Sequence, residues 1–244
     1  MILVTGNGNL ANELVKLSTD DLPIKSLSRK DMDITDESMV SDVVKKYTKL
    51  QNYPKYIIHT AAFTKPMIIN DLNPIESISV NIVGTANVAR ICQKYNIKFI
   101  YISTDFVYKI EFNDSFHLEY HKTNVEDEKS SLNPPNNYGW SKLGGECVTK
   151  LIPNSLILRC ALCDIPFRHD VAFNDVWRNS ITHKDVAKII LKLKDEVGVI
   201  NVGGKYQSVY DFVAKYQEIK EENSDGKIPS VKLSIDKLSN ILGE

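Results

Sequence analysis

A parallel sheet wound on both faces with helices, a doubly wound α/β fold, is what this sequence predicts, and three observations predict it. Short β-branched runs alternate with amphipathic stretches through most of the chain. Strands joined by helical crossovers lie parallel, with helices on both faces. A glycine-rich turn separates the first such run from the first helix, and the length of 244 residues, 43% hydrophobic and 25% charged, suits one large globular core.

Ile2–Thr5 is apolar and too short for a helix, so it reads as a buried strand, with 10–17 as the helix after it. Ile24–Leu27 reads as a second strand. Residues 36–49 read as a helix because Met39, Val40, Val43, Val44 and Tyr47 recur at helical spacing. Tyr56–His59 is the third strand, 75–95 a long helix and 99–102 the fourth strand. A helix over 141–150, a strand over 156–158, a helix over 183–194 and a strand over 197–202 complete the series. Two stretches break the rhythm. Residues 109–137 are polar, with His117, His121, an acidic run at Glu126-Asp-Glu128 and the pair Pro134-Pro135; a loop of that length is usually functional, and the run up to Lys129 reads as solvated. Residues 161–179 and the tail beyond Gly203 carry weaker elements, as expected of a small cap over the sheet's carboxyl edge.

Composition excludes several classes. Thirty Lys+Arg against 31 Asp+Glu leave a net charge of -1, which is no basic field for nucleic acid or an anionic membrane. No apolar run approaches the ~20 residues of a membrane span. Met1-Ile-Leu-Val-Thr lacks the basic start of a signal peptide, and four cysteines make no disulfide framework. The chain is expected to be cytoplasmic. No metal is expected, since Cys160-Ala-Leu-Cys163 has only His169 near it as a further ligand.

Val4-Thr-Gly6-Asn-Gly8-Asn-Leu-Ala11 fits G-x-G-x-x-G/A between a strand and a helix. Gly6 permits the tight turn, Gly8 lets the backbone approach a pyrophosphate, and Ala11 allows close helix packing. The helix N-terminus then offers unpaired N–H groups to phosphate. Gly6, Asn7, Gly8, Asn9 and Leu10 are therefore cofactor-binding candidates, against the alternative of a plain turn. The second strand ends Ser26-Leu-Ser28-Arg29-Lys30, with no acid until Asp31. An acid would suit the ribose of NAD; Arg29 suits the 2′-phosphate of NADP, so NADP is expected and NAD is the alternative.

Tyr138 and Lys142, spaced i, i+4, project from one helix face. A phenol with a pKa of about 10 is a poor catalyst at neutral pH, and a nearby lysine cation lowers it. Thr104 ends the fourth strand, at the edge where open parallel sheets bind ligands. Its hydroxyl could donate to a substrate carbonyl, with Asp105 and Phe106 beside it. His59 reads as a packed ring rather than a base.

These stretches, together with Asp33-Ile-Thr35, His59-Thr-Ala-Ala-Phe-Thr64, Asn81-x-x-Gly84 and Tyr138-Gly-x-Ser-Lys-Leu-x-Gly-Glu146, resemble the extended short-chain dehydrogenases/reductases over residues 1–160. Within them the chain is most similar to the dTDP-4-dehydrorhamnose reductase family. The resemblance implies a Rossmann unit, 1–160 completed by 183–203, and a small C-terminal substrate-binding cap of 161–182 and 204–244. It implies that Tyr138 protonates the alkoxide as hydride arrives, that Lys142 holds the nicotinamide ribose and lowers the Tyr138 pKa, and that Thr104 binds the substrate carbonyl. Asp33 and Ile34 would flank the adenine; Ala61, Ala62, Thr64 and Asn81 would serve the cofactor's central portion. The implied substrate is a nucleotide-linked 4-keto-6-deoxy sugar, carried on dTDP or UDP, with a 2-acetamido sugar as a variant. A homodimer through the helices at 81–95 and 141–150 is implied as well.

The sequence departs from the family at several places. Its glycine loop is one residue short, Lys65 replaces a small apolar residue, the 109–137 loop is longer and the substrate half is shorter. Arg178-Asn-Ser-Ile-Thr-His-Lys-Asp185-Val-Ala187 is similar instead to a segment of nucleotide-sugar epimerases and dehydratases, in which the arginine grips the substrate diphosphate. An epimerase is therefore one rival reading, although Phe106 after Asp105 argues against dehydration. A non-catalytic, NADP-binding regulatory subunit is the other.

Overall fold

The structure, a computed structural model, describes residues 1–50, 53–64, 71–108 and 124–243. Lys65, His117 and His121 lie outside the described residues, as does most of the 109–137 loop. The first half runs β1 (Ile2–Thr5), α1 (Asn9–Lys16), β2 (Ile24–Leu27), α2 (Glu37–Thr48) and β3 (Tyr56–His59). It continues through α3 (Pro74–Ser77), a π-helical segment (Ile78–Gly84), α4 (Thr85–Lys94) and β4 (Lys98–Thr104). After β5 (Val125–Glu126) come α5 (Asn137–Lys150), β6 (Leu156–Cys160), β7 (Leu162–Cys163), β8 (Val171–Phe173), β9 (Trp177–Arg178) and β10 (Ile181–Thr182). The chain closes with α6 (His183–Leu193), β11 (Gly198–Val202), β12 (Gln207–Ser208), α7 (Val209–Val213), β13 (Lys220–Glu222), β14 (Lys232–Leu233) and α8 (Asp236–Leu242).

Six strands form one sheet in the order β2-β1-β3-β4-β6-β11, every neighbour parallel. The predicted doubly wound fold is the one found. From β1 the chain steps outward to β2 and then back across to β3, so a crevice opens between β1 and β3 at their carboxyl ends. Strand alternation splits the core in two. Ile2, Val4, Ile58, Ile100 and Leu158 face α1 and α6, meeting Leu10, Leu14, Val186 and Ile190. Leu3, Ile57, Phe99, Tyr101 and Ile157 face α2 and α4, meeting Val40, Val44, Val88 and Cys92. Because both faces are buried, these strands read as continuous apolar runs.

Three local expectations are corrected. The helix expected over 141–150, which the spacing of Tyr138 to Lys142 already carried back to Tyr138, begins at Asn137, because the Asn136 side chain caps it by accepting from the Gly139 N–H at 2.9 Å. The long helix expected over 75–95 contains the π-helical segment, a local widening that apolar spacing does not report. The acidic run after Val125 is not a solvated loop. Val125 and Glu126 pair with Lys232 and Leu233, and Glu128 accepts from the Asn201 N–H at 2.8 Å.

Beyond the sheet, residues after Cys160 add short strand pairs, β7 with β10, β8 with β13 and β9 with β12, over its carboxyl edge. Each pair joins a segment before α6 or at its start to a distant partner, so the C-terminal tail and 161–182 interleave.

Candidate active site

The glycine turn sits where β1 meets α1. Gly6 has φ +85°, and a Cβ there would stand 3.2 Å from the Ala61 Cα, so both backbone and space demand glycine. At Gly8 a Cβ would meet nothing within 4 Å; it would project into the cleft. Gly8 is also the N-cap of α1, with no side-chain cap bond and no acid in the first turn, which leaves the helix's first N–H groups facing that space.

The cleft holds about 570 Å³. Its walls include Gly6, Asn7, Gly8, Asn9, Leu10 and Ala11 from the turn, and Arg29, Asp33 and Ile34 from the loop after β2. Ala61, Ala62 and Thr64 line it after β3, and Tyr138 and Lys142 from α5. A cleft lined by a phosphate-type glycine turn, the loop after β2 and a tyrosine from α5 fits a dinucleotide. Arg29 Nε donates to Asp33 Oδ2 at 2.8 Å, while Asp33 Oδ1 accepts from the Thr35 N–H and hydroxyl. Asp33 is thereby committed within the protein, and the exposed Arg29 guanidinium stands at the rim.

Asn81 does not reach the cleft wall. Buried in the π-helical segment, it accepts from the Phe63 N–H at 2.7 Å and donates to the Ser141 hydroxyl at 2.8 Å. It therefore ties the loop after β3 to α5. His59 is packed, with Nδ1 2.8 Å from the Thr5 hydroxyl and Nε2 3.1 Å from that of Thr85. Burial first, and then the Lys142 charge, lowers its pKa to about 3, so it is a neutral structural ring.

At the carboxyl end of β4 a polar chain assembles. The Arg178 guanidinium pairs with Asp105 Oδ2, and the Thr104 hydroxyl donates to Asp105 Oδ1 at 3.0 Å. Tyr138 stands close to Thr104, which opposes the rise of its pKa. The Arg178 guanidinium also lies 4.5 Å over the Phe106 ring, whose edge meets the Tyr138 ring. Thr104, Asp105, Phe106, Tyr138 and Arg178 are thus brought together from β4, the turn after it, α5 and β9. Gly139 permits the approach, since a Cβ there would strike the Phe106 carbonyl.

Electrostatics assign states to these groups. Desolvation, and then Asp105, pushes the Tyr138 phenol well above its usual range, while Thr104 and Arg178 oppose that rise. Tyr138 is therefore a protonated phenol at neutral pH. Burial lowers Lys142 to about 7, against the opposing pull of Glu146, and its ammonium lies 4.2 Å over the Tyr101 ring. One turn on, Glu146 is fully buried and paired with Arg159 at 2.7 Å, and it accepts from the Ser103 hydroxyl at 2.6 Å.

Asp164, Arg168 and His183 also line the cleft, and sequence reasoning missed all three. They lie in or just after a stretch of weak periodicity and reach the glycine turn only because β7 pairs with β10. No local signal could have found them.

A doubly wound sheet with a glycine turn at the switch point and a Tyr-x-x-x-Lys helix beside a strand-end threonine has the layout of an extended short-chain dehydrogenase/reductase. The profile of the family described as "RmlD substrate binding domain" matches residues 1–163, and the chain belongs to that family. It is similar to the dTDP-4-dehydrorhamnose reductase of Aggregatibacter actinomycetemcomitans, 29% identical over 162 residues, which are 65% of this chain and 50% of that protein. The chain spans about half the length of the curated relatives it matches. Among solved structures it resembles a dTDP-4-dehydrorhamnose reductase from Clostridium acetobutylicum, with a TM-score of 0.78 at 22% identity over 98% of this chain and 91% of that one. The Bacillus anthracis dTDP-4-dehydrorhamnose reductase in complex with NADP gives a TM-score of 0.77 at 23% identity, covering 98% and 92%. At these identities the solved structures establish the shared fold.

Proposed function

We propose that the chain is an NADPH-dependent reductase of a nucleotide-linked 4-keto-6-deoxy sugar, producing the 4-hydroxy sugar in deoxysugar biosynthesis. The observation that carries this reading is that Tyr138, a buried phenol close to Thr104, lines with Lys142 the same cleft that holds the glycine turn. Relatives named dTDP-4-dehydrorhamnose reductase and dTDP-4-keto-6-deoxy-D-glucose reductase support the substrate class. Arg29 at the rim, with Asp33 already satisfied, supports NADP over NAD.

Bound reduced nicotinamide supplies a hydride. The chain's own residues orient the ketone and deliver the proton. Tyr138, held as a phenol by burial, has a proton to give to the carbonyl oxygen as it becomes an alkoxide. Thr104 is the second hydroxyl at that oxygen. Lys142 is positioned to hold the nicotinamide ribose and, when protonated, to favour the phenolate left behind. Arg178, anchored by Asp105, is offered to the substrate's diphosphate from the cap side. In this reading residues 1–160 with 183–203 hold the cofactor, and 161–182 with 204–244 select the sugar.

We assign the working form as a homodimer. Leu72 just before α3, Ile75 on it, Ile78 and Val83 on the π-helical segment, Trp140 on α5 and Leu151 just after it are large apolar residues between 46% and 81% exposed. Such a concentration on two adjacent helices suits a second copy of the chain.

The test follows NADPH oxidation with dTDP- and UDP-4-keto-6-deoxyglucose, each with and without a 3,5-epimerase, for wild type and Tyr138→Phe. Turnover that falls at least a hundredfold in Tyr138→Phe, with NADPH still bound, is the expected result. NADPH binding without turnover of any keto sugar would favour the regulatory reading instead.

A further inference from the structure

The cleft's cations are unevenly placed. Arg29 stands at the loop after β2, held by Asp33. Lys142 is buried at the opposite, tyrosine end. The glycine turn, where a dinucleotide's diphosphate would carry its charge, lines the same cleft as Arg168, which belongs to the segment after β7.

We propose that Arg168 binds the diphosphate of the cofactor and that Asp164 is the positioning residue that brings it there. This rests on the dinucleotide reading of the cleft. Asn9, the first residue of α1, donates through Nδ2 to Asp164 Oδ1 at 2.8 Å. Arg168 Nε lies 2.9 Å from Asp164 Oδ2. One carboxylate thus joins the phosphate turn to the arginine across more than 150 residues of chain. Arg168 remains mostly exposed, 69% at the side chain, and its terminal amino groups make no hydrogen bond among the described residues. They are available as a forked donor, the geometry that matches phosphate oxygens.

Charge balance requires such a group. A diphosphate brings two negative charges, and the N-terminus of α1 supplies only about half a positive one. Asp164 alone would repel the ligand. His183 Nε2, 3.8 Å from Asp164, does not compensate, because burial lowers its pKa below the usual imidazole value and it stays neutral at neutral pH. With Arg168 on it, the Asp164 carboxylate becomes an anchor instead of an obstacle.

The test is a binding titration rather than turnover. NADPH and adenosine 2′-phosphate, which lacks the diphosphate, are titrated against wild type, Arg168→Ala and Arg168→Lys. The expected result is an NADPH Kd raised about tenfold in Arg168→Ala and partly restored in Arg168→Lys. Adenosine 2′-phosphate should bind all three within about twofold, which also reports that the variants are folded. An unchanged NADPH Kd in Arg168→Ala, or equal losses for both ligands, would overturn the assignment while leaving the reductase reading standing. A wild type that binds neither ligand would overturn both.

Discussion

Burial holds Lys142 at about 7, far from the 10.5 of a free lysine, and this has a measurable consequence for stability. Between these values the unfolded chain binds a proton that the folded chain does not. Stability therefore rises with pH across that window, and below it the full cost of burying the cation is felt. Lys142→Met keeps the length of the side chain and removes the charge. It should stabilise the fold by roughly 2 kcal/mol at pH 6, with the gain fading as pH approaches that of free lysine. Urea midpoints of both proteins at pH 6, 8 and 10 check this; parallel curves would refute it. The lysine is thus a group kept at a stability cost, as expected where a cation is wanted beside a phenol. Its position was legible from the i, i+4 spacing to Tyr138. Its ionisation was not, because that depends first on burial and then on Glu146, both set by packing.

At the scale of elements, α5 is the piece on which the proposed chemistry depends, and its seat on the sheet is closely specified. A Cβ on Gly145 would strike the Tyr101 hydroxyl and come within 2.9 Å of the Asn81 carbonyl, so helix and strand meet at glycine distance. Glu146 then locks the register through Arg159 on β6 and Ser103 on β4. Arg159 continues to the Tyr108 hydroxyl at 2.9 Å, and Tyr108 to Asn201 on β11 at 2.7 Å. This buried line ties three neighbouring strands to α5. Glu146→Leu would leave Arg159 buried and unpaired, and should cost about 3–5 kcal/mol in urea unfolding. Adding Arg159→Met to it should recover most of that loss, since an apolar pair can replace a buried ion pair. A double variant no better than the single one would show that packing, not the stranded charge, is what fails. The motif Tyr138 to Glu146 was visible as a string of residues; that its last member grips β6 was not, since Arg159 is no neighbour in a linear reading.

For the whole molecule, the exposed apolar face of α5 and the helical run beside it predicts association. Wild type should sediment at twice the chain mass, and Trp140→Glu with Leu151→Glu should sediment as a monomer that retains its NADPH affinity. A monomeric wild type would refute the dimer. The two halves of the site are also joined at this scale. The cofactor end draws its walls from the first 64 residues and α5, while Arg178, Asp164 and Arg168 arrive from segments that the short strand pairs fold back over the sheet.

What the sequence by itself determined is what depends on near neighbours. Strand–helix alternation, the glycine turn, the Tyr-x-x-x-Lys spacing and the strand-end threonine are local patterns, set by backbone sterics and by periods of two and 3.6 residues. Only the tertiary structure decided which groups face one another across the cleft. It turned Asn81 inward to brace Phe63, set Arg178 on Asp105, and joined Asp164 to Asn9 at the start of α1. Those contacts join residues far apart in the chain, and their energies come from burial and charge pairing that exist only once the sheet has closed.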